Sequence, residues 1–276
     1  MTDESPGPAV DIDTHVAHAA RVYDYLLGGS DNFAADREAA RRVGDLVGGL
    51  DNARAQARAN RAFLGRAVRW LAAEAGIRQF LDIGTGIPRT DNVHSIALRA
   101  APDARVVSVD RDPVVLAHAH QLLRGGRDGA TTYLQADLRQ PATILAGAAT
   151  TLDFSVPVAV LLVGVLHHVA DHHHPAAIVA RLAQGLARGS YVAISHVASD
   201  IQPVEVATAA AGLTQALREP WVPRDRDAVR RLFAGLRLVE PGLVQVDCWR
   251  LPDGSAPAAA RNGWVNPVYA GIGRKG

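Results

Sequence analysis

The stretch Phe80-Leu81-Asp82-Ile83-Gly84-Thr85-Gly86-Ile87-Pro88 decides the fold of this chain. Its apolar start and its two glycines, separated by one residue, predict a buried strand that ends in a tight turn. Pro88 then predicts the first position of a helix, where the constrained φ of proline is favourable. Such turns occur in ordinary strand–turn–helix units and also where the backbone passes close to a ligand. The flanking sequence has to distinguish these two cases.

Downstream of this turn, strands and helices alternate. The predicted strands cover 105–110, 131–135, 157–163 and 191–195, and the predicted helices between them cover 113–123 and 175–186. The apolar run 157–163 is typical of a central parallel strand that is covered on both faces. The alternation predicts a doubly wound α/β sheet, which binds its ligands at the carboxyl ends of the strands.

The ends of the chain differ from this central part. Before the sheet, helices are predicted over about 15–27, 31–47 and 52–75; after it, helices are predicted over 204–217 and 225–233. Two final strands, 236–249 with a kink at Pro241-Gly242 and 265–272, predict an antiparallel hairpin at the edge of the sheet. The expected organisation is a disordered tail at 1–13, an N-terminal helical cap at 14–77, and an α/β domain at 78–276 with a helical insertion at 197–222.

Composition narrows the classes of function. The net charge of the 276 residues is +1, and arginines alternate with acids without clustering, so no electrostatic footprint for nucleic acid is visible. The single cysteine, Cys248, excludes an internal disulfide and fits a reducing cytoplasm. The acidic N-terminus is unlike a secretory signal, and the longest apolar run, 156–166, is shorter than the ~18 residues of a membrane helix. We expect a soluble cytoplasmic protein with no nucleic-acid or membrane partner, and the oligomeric state is open.

The glycine turn favours a ligand without phosphate groups. A dinucleotide-binding turn has a third glycine three residues after Gly86, where this chain has Arg89. A nucleotide-phosphate loop needs a lysine after its last glycine, but the only lysine of this chain is Lys275. Pro88 also removes one of the N–H groups with which a helix start binds phosphate.

Three acids, Asp82, Asp110 and Asp137, follow three successive predicted strands. Asp110 ends the second strand, where a carboxylate can bind both hydroxyls of a ribose. Asp137 is placed to accept a hydrogen bond from an exocyclic amine such as that of adenine. Arg111 would suit a 2′-phosphate, but Asp110 beside it would repel that group. Each acid alone is commonly a solvated residue, whereas the set fits an adenosyl compound with an ammonium, a carboxylate and a sulfonium, namely S-adenosylmethionine.

These motifs resemble those of class I S-adenosylmethionine-dependent methyltransferases. The resemblance is carried by Asp82-Ile83-Gly84-Thr85-Gly86, Val109-Asp110, Ala136-Asp137-Leu138 and Leu166-His167-His168-Val169. More narrowly, the chain from about residue 14 resembles a little-characterised family of S-adenosyl methyltransferases abundant in high-GC soil bacteria. The stretches that carry this second resemblance are Arg21-Val22-Tyr23-Asp24-Tyr25-Leu26-Leu27-Gly28-Gly29, Asp31-Asn32-Phe33, Asn60-Arg61-Ala62-Phe63-Leu64, Gln79-Phe80-Leu81-Asp82 and Val239-Glu240-Pro241-Gly242.

The resemblance implies a Rossmann-like seven-stranded sheet, S-adenosylmethionine as methyl donor and S-adenosylhomocysteine as product. It implies that the cofactor-binding residues include, besides the three acids, Gly84, Thr85, Gly86, Arg111, Leu138 and Gly164. Asn60 and Arg61 lie on the helix before the glycine turn and are candidates for binding the cofactor carboxylate. For Arg61, an exposed surface position is the alternative.

Further candidates concern catalysis and the acceptor. His167 follows the central strand and is the candidate catalytic base, with a hydrogen-bonded core histidine as the alternative. His196 and Trp221 are candidates for the acceptor pocket, and Tyr23, Tyr25 and Asn32 are candidates for a cap over the cofactor or the acceptor. The adjacent histidines 172–174 are not expected to converge on one ion, so no metal site is predicted.

We therefore expect an enzyme that moves a methyl group from the sulfonium to an O, N, C or S atom of a small-molecule acceptor. The acceptor is expected between the N-terminal cap and the helix 204–217. Two alternatives remain open: a protein that binds S-adenosylmethionine without methylating, and an NAD(P)-dependent dehydrogenase. The second is disfavoured by Arg89 and by the lack of an evident Tyr/Lys or Ser catalytic set.

Overall fold

Parallel strands occupy the centre of the molecule. The structure is a computed structural model that describes residues 13–115, 117–118, 131–251 and 265–276. The parallel strands are β1 (Gln79–Ile83), β2 (Arg105–Asp110), β3 (Thr131–Gln135), β4 (Ala159–Val163) and β5 (Tyr191–Val197). Their order is β3-β2-β1-β4-β5. The chain adds β2 and β3 on one side of β1 and then crosses over to add β4 and β5 on the other side, so the topological switch point lies between β1 and β4. Sheets of this kind bind their ligands outside the carboxyl ends of the strands at that point.

The C-terminal strands are β6 (Leu236–Leu238), β7 (Val244–Gln245) and β8 (Val268–Lys275). β8 pairs antiparallel with β5, with β6 and with β7. The single strand predicted over 236–249 is wrong, because the chain turns at Pro241-Gly242, where Gly242 has a φ of +87°, and divides the strand into β6 and β7. The antiparallel strand also does not lie at the edge: β8 lies between β5 and β6. The predicted α/β sheet is confirmed. It has eight strands in the described residues, one more than the predicted seven, because β6 and β7 both pair with β8.

Helices surround this sheet. They are α1 (Ala19–Leu26), α2 (Ala34–Leu46), α3 (Leu50–Ala73), α4 (Val93–Ala100), α5 (Pro141–Ala148), α6 (Pro175–Gln184), α7 (Pro203–Leu217) and α8 (Arg226–Arg231). Residues 113–115 and 117–118 are also helical. The predictions for residues 1–12, for the end of the helix 113–123 and for the loop 252–262 lie outside the described residues. Within the described ranges, none of the helices is both long enough and apolar enough to cross a membrane.

Three apolar clusters hold these layers together. On one face of the sheet, α3 and α4 pack against the strands, with Phe63 and Phe80 among the fully buried side chains. On the other face, α5 and α6 contribute residues such as Ile144 and Leu182. A third cluster joins α1, α2 and α7. The helices before residue 78 therefore have two roles: α3 covers the sheet, whereas α1 and α2 pack on α7. The division of the chain at residue 78 stays a prediction.

The segment after the glycine turn differs from the predicted helix start. α4 begins at Val93 instead of Pro88, and residues 87–92 form a loop. This loop is held by distant residues: Nη2 of Arg61 donates to the carbonyl oxygen of Asp91 at 2.8 Å and to Oδ1 of Asn92 at 2.9 Å. These contacts come from α3, about thirty residues earlier in the chain, so local sequence does not indicate them.

Candidate active site

A cavity of about 270 Å³ lies at the carboxyl ends of β1, β2, β4 and β5. The strand ends line one side of it, and α1, α2 and α7 line the other. The predicted site residues that line it are Tyr23, Asn60, Arg61, Asp82, Gly84, Thr85, Gly86, Asp110, Arg111, Asp137, Leu138, Gly164, His167, His196 and Trp221. Residues far apart in the sequence thus converge on one cavity at the expected edge of the sheet.

The glycine turn directs its backbone N–H groups at β2. The N–H groups of Gly84 and Thr85 donate to the carbonyl oxygen of Val109 at 2.8 and 3.1 Å. The N–H of Gly86 donates to Oδ2 of Asp110 at 2.9 Å. Three successive N–H groups are therefore used by the protein itself, whereas an anion-binding nest presents such groups to the ligand. This arrangement favours a ligand without phosphate at the turn.

Gly84 is required by packing as well as by backbone conformation. Its φ is +77°, a region that residues with a Cβ adopt at a cost. A Cβ at this position would lie 2.5 Å from Cγ2 and 2.8 Å from Cβ of Val165, in the segment after β4. The turn after β1 therefore lies directly against the segment that carries His167.

Asp110 keeps hydrogen-bond acceptor capacity on both carboxylate oxygens. Its Oδ2 accepts from the N–H of Gly86, and its Oδ1 accepts from the N–H of Asp112 at 3.0 Å. A carboxylate has about four lone-pair sites, so roughly one site on each oxygen remains. Burial raises the pKa of Asp110, and the two backbone hydrogen bonds oppose that shift. Two free acceptor sites side by side fit the two hydroxyls of a ribose.

Asp137 has less free capacity, because Arg139 binds it. Oδ1 accepts from the backbone N–H of Arg139 at 2.8 Å, and both oxygens contact its guanidinium. These hydrogen bonds lower the pKa of Asp137. An adenine amine at this position would compete with Arg139 for the same oxygens. Leu138 follows as a buried apolar residue at the wall of the cavity.

Asp82 lies at the end of β1 and is almost fully buried. Its Oδ2 accepts a hydrogen bond from the hydroxyl of Thr85 at 2.8 Å. Burial raises the pKa of Asp82 to about 6, although the bond from Thr85 and the positive charge of Arg61 oppose the shift. Its carboxyl group therefore changes charge just below neutral pH.

Arg61 holds the loop 87–92 with part of its guanidinium only. Nε is 3.2 Å from Oδ2 of Asp91, and Nη2 makes the bonds to Asp91 and Asn92 described above. Nη1 makes no hydrogen bond within the described residues, so two N–H groups remain for a carboxylate ligand.

Asn60 connects the cap to the sheet. Its Oδ1 accepts from the hydroxyl of Ser195 at 2.5 Å, and its Nδ2 donates to the hydroxyl of Tyr23 at 3.1 Å. The Tyr23 hydroxyl in turn donates to the carbonyl oxygen of Ala57 at 3.0 Å. A Cβ at Gly164 would lie 3.0 Å from Nδ2 of Asn60, which accounts for the glycine after β4. One amide N–H of Asn60 remains for a ligand.

His167 is buried and lies beside three aromatic rings. The centroid of its ring is 4.5 Å from that of His168, 5.8 Å from that of His196 and 5.2 Å from that of Trp221. Its Nδ1 has no hydrogen-bond partner in the described part of the chain. Burial, reinforced by the neighbouring histidines, holds the pKa of His167 well below its ordinary range. The ring is therefore neutral at pH 7.

His196 uses both ring nitrogens within the protein. Its Nδ1 is 2.9 Å from the carbonyl oxygen of Val197, and its Nε2 is 2.9 Å from Nη1 of Arg224. Arginine can only donate, so Nε2 is the acceptor and Nδ1 carries the proton. Although His196 lines the cavity, it has no free nitrogen for an acceptor molecule, and its predicted role there is not supported.

Arg224 is a structural residue that the sequence analysis missed. Its guanidinium donates to the carbonyl oxygens of Leu166 at 3.1 Å and Val169 at 2.7 Å, and to Oδ1 of Asp171 at 2.7 Å. It thereby holds the segment after β4, on which His167 lies. Nothing in the local sequence distinguishes this buried arginine from the exposed ones.

Tyr25 and Asn32 belong to the cap but do not line the cavity. The Tyr25 ring centroid is 5.7 Å from the guanidinium carbon of Arg54. Nδ2 of Asn32 donates to Oδ2 of Asp24 and to the carbonyl oxygen of Gly29, both at 2.9 Å. Neither residue lines the cavity, and the ring of Tyr25 and the amide of Asn32 make contacts within the cap, so a ligand contact by either residue is not supported.

Two side-chain contacts join the end of β2 to the helices above the cavity. Nδ1 of His18, at the start of α1, is 3.0 Å from Oδ2 of Asp112. Arg111 pairs with Glu219, just after α7. Arg111 is therefore engaged by a carboxylate, which disfavours its use on a 2′-phosphate. The sequence contained no signal for either pair, since each joins residues about a hundred positions apart.

The exposed histidines after β4 lie apart from this site. His172 and His173 have ring centroids 4.1 Å apart in the segment 171–173. In the part of the chain that the structure describes, no group of three His, Cys, Asp or Glu side chains is arranged to hold a metal ion.

The sheet has the order β3-β2-β1-β4-β5 with an antiparallel β8, and the glycine turn after β1 lies opposite the acid that ends β2. This is the arrangement of a class I S-adenosylmethionine-dependent methyltransferase. The comparisons narrow this class. The model of the S-adenosyl methyltransferase family matches residues 6–276, and the chain belongs to that family. The predicted family, fold class and type of enzyme are thereby confirmed.

Solved structures agree with this assignment. A DUF574 family protein from Streptomyces avermitilis is 42% identical with a TM-score of 0.87, over 96% of this chain and 99% of its own. A candidate methyltransferase from Thermobifida fusca is 38% identical with a TM-score of 0.87, over 98% of this chain and 99% of its own. An O-methyltransferase family protein from Burkholderia thailandensis, 14% identical with a TM-score of 0.52, over 82% of this chain and 60% of its own, shares the fold. A search among curated proteins finds no match.

Proposed function

We propose that this enzyme transfers the methyl group of S-adenosylmethionine to a small-molecule acceptor held between α1 and α7. The observation that supports it most directly is the half-buried carboxylate of Asp110, which keeps one acceptor site on each oxygen. When bound, S-adenosylmethionine supplies a methyl carbon on a sulfonium: a lone pair of the acceptor bonds to that carbon, and the electron pair of the broken carbon–sulfur bond stays on sulfur.

The residues of the cavity fit the functional groups of this donor. Asp110 would bind the ribose hydroxyls, and Asp82 would accept from the ammonium group. Nη1 of Arg61 is free within the described residues and suits the carboxylate. Asp137 would accept from the adenine amine in exchange for part of its pairing with Arg139, and Leu138 would pack against the adenine ring.

His167 is the proposed base. Its neutral ring can take the proton of an acceptor hydroxyl or N–H group, and the surrounding helices exclude water while the acceptor is positioned. If the acceptor must lose its proton during transfer, we expect His167→Ala to lower kcat by about 10²–10⁴-fold. The affinity for S-adenosylhomocysteine should not change, because the residues proposed to bind it remain. His167→Gln keeps the size and a hydrogen-bonding group but cannot take the proton, so it should be similarly impaired. Wild-type turnover by either variant would contradict the role of His167.

The affinity for S-adenosylhomocysteine is expected to depend on pH through Asp82. The ionised carboxylate is the form that binds an ammonium group, and the pKa of Asp82 in the free protein is about 6. As the pH falls through 6, a proton competes with the ligand, so affinity should fall by up to about tenfold per pH unit. Calorimetry between pH 7.5 and pH 5 measures this slope. The Asp82→Asn variant should bind S-adenosylhomocysteine more weakly, and its affinity should not change with pH in this range. If the affinity of that variant falls with pH as steeply as that of the wild type, the pH dependence belongs to another group.

The proposed function is tested by ligand binding and turnover together. Calorimetry should detect S-adenosylmethionine and S-adenosylhomocysteine but not NAD; binding of NAD alone would instead indicate a dehydrogenase. Formation of S-adenosylhomocysteine is then measured against a collection of small metabolites. If S-adenosylmethionine binds but no acceptor in a broad collection is methylated, the result favours a protein that binds S-adenosylmethionine without transferring its methyl group.

A further inference from the structure

Charged residues are distributed unevenly around the cavity. The acids and arginines proposed to bind the methyl donor lie at the strand ends and on α3. The opposite side is apolar and consists of Val22 and Leu26 of α1, Val43 of α2, and Leu213 and Leu217 of α7. We call these five side chains the three-helix wall. They belong to the cluster that joins α1, α2 and α7, so the wall is also part of the packing of the cap.

The charged groups that flank the three-helix wall already have partners. His18 pairs with Asp112, and Glu219 pairs with Arg111. Arg224, behind His196, is surrounded by carbonyl oxygens and Asp171. In the described residues around this half of the cavity, no free charge remains for an ionised acceptor.

Polar groups with unused capacity lie between the wall and the donor residues. The hydroxyls of Ser195 and Tyr23 donate to partners within the protein. His167 and His168, by contrast, each have a buried Nδ1 without a partner in the described residues. Both rings line the cavity, and a small rotation of either ring would turn its buried Nδ1 toward a ligand and remove the cost of the unsatisfied nitrogen. These two rings are thus the polar recognition groups of this half.

On the basis of the methyl transfer proposed above, we infer that the acceptor is an uncharged, predominantly apolar molecule with one hydroxyl or N–H group. Its apolar body would lie on the three-helix wall, and its polar group would contact the rings of His167 and His168. An ammonium or carboxylate acceptor would lose its hydration here without gaining an opposite charge, which is strongly unfavourable.

The inference is tested with three probes that share one ring system: naphthol, (aminomethyl)naphthalene and naphthoate. At pH 7.5 they are neutral, cationic and anionic. Their affinities are measured by calorimetry on the full chain saturated with S-adenosylhomocysteine, so the readout does not depend on turnover. We expect naphthol to bind about tenfold or more tightly than either charged probe, a difference of about 1.4 kcal/mol. Charged probes that bind as well as naphthol, or naphthol that does not bind, would overturn the inference.

Variants locate the binding. Leu213→Asp adds a carboxylate to the three-helix wall and should weaken naphthol about tenfold or more without changing the affinity for S-adenosylhomocysteine. Val204→Asp, on the exposed side of the same helix, is the matched control and should leave the naphthol affinity unchanged. If Leu213→Asp does not fold, Val22→Thr changes polarity at nearly constant shape and should weaken naphthol in the same direction. Unchanged naphthol affinity in the folded variants would show that naphthol does not bind at the three-helix wall. Failure to bind S-adenosylhomocysteine would instead reject the proposed function.

Discussion

Asp110→Ala is expected to weaken the binding of S-adenosylmethionine by about tenfold or more. Hydrogen bonds from hydroxyls to a carboxylate are charge-assisted and contribute about 1.5–3 kcal/mol. Asp110 has a free acceptor site on each oxygen, and its half-buried position in the cavity limits competition from water. Calorimetry with S-adenosylhomocysteine, which has the same ribose, measures the effect without turnover.

Asp137→Ala is the matched control for Asp110→Ala. Both residues end or follow a strand and line the cavity, but the oxygens of Asp137 are already bound by Arg139. Its removal should therefore cost less affinity than the removal of Asp110. Asp110→Asn keeps one oxygen acceptor and should give an intermediate loss. A folded Asp110→Ala protein with wild-type affinity would exclude the ribose contact.

Gly84→Ala is expected to lower the free energy of unfolding by about 2–5 kcal/mol. The positive φ of Gly84 costs a residue with a Cβ about 1–2 kcal/mol. The overlap with Val165, whose Cγ2 would be 2.5 Å away, adds about 1–3 kcal/mol of overpacking. Urea denaturation measures the change. Because Val165 precedes the segment with His167, the affinity for S-adenosylhomocysteine and the turnover should fall as well.

Two further variants separate these contributions. Gly86→Ala has a similar backbone conformation, with φ of +66°, but its Cβ would meet no atom within 4 Å. It should therefore show only the smaller, conformational loss. In a double-mutant cycle of Gly84→Ala with Val165→Ala, the overpacking part should appear as a favourable coupling energy. If Gly84→Ala and Gly86→Ala lower the free energy of unfolding equally, the side chain of Val165 moves aside without destabilising the protein.

The sequence predicts best where local composition alone determines structure. The bounds predicted for the second and third strands, 105–110 and 131–135, are those of β2 and β3. Runs of β-branched residues bounded by polar residues are sufficient for this, both in β2, whose centre is buried, and in β3, which is only half-buried at the edge of the sheet. The acids at the strand ends follow from the same pattern, because the carboxyl ends of parallel strands meet at one edge.

The sequence predicts poorly where distant contacts decide. Pro88 has the φ of a helix start, yet residues 87–92 form a loop, and Arg61 of α3 holds that loop. The tautomer of His196 depends on Arg224, which is 28 residues away in the chain. Local patterns contain no information about either contact. The pairing of Asp137 with Arg139 is different: an arginine two residues after the acid was a visible sign that the acid would be engaged.

The separation of the cavity into two sides has a consequence for how the specificity of this enzyme can be changed. The side proposed to bind the methyl donor is built mainly by the sheet, whereas the three-helix wall, proposed to bind the acceptor, is supplied by α1, α2 and α7. If that proposal holds, substitutions in these helices should change which acceptor is used while the binding of the methyl donor stays the same. A mutant library confined to the helices would thus be the economical route to retargeting the enzyme.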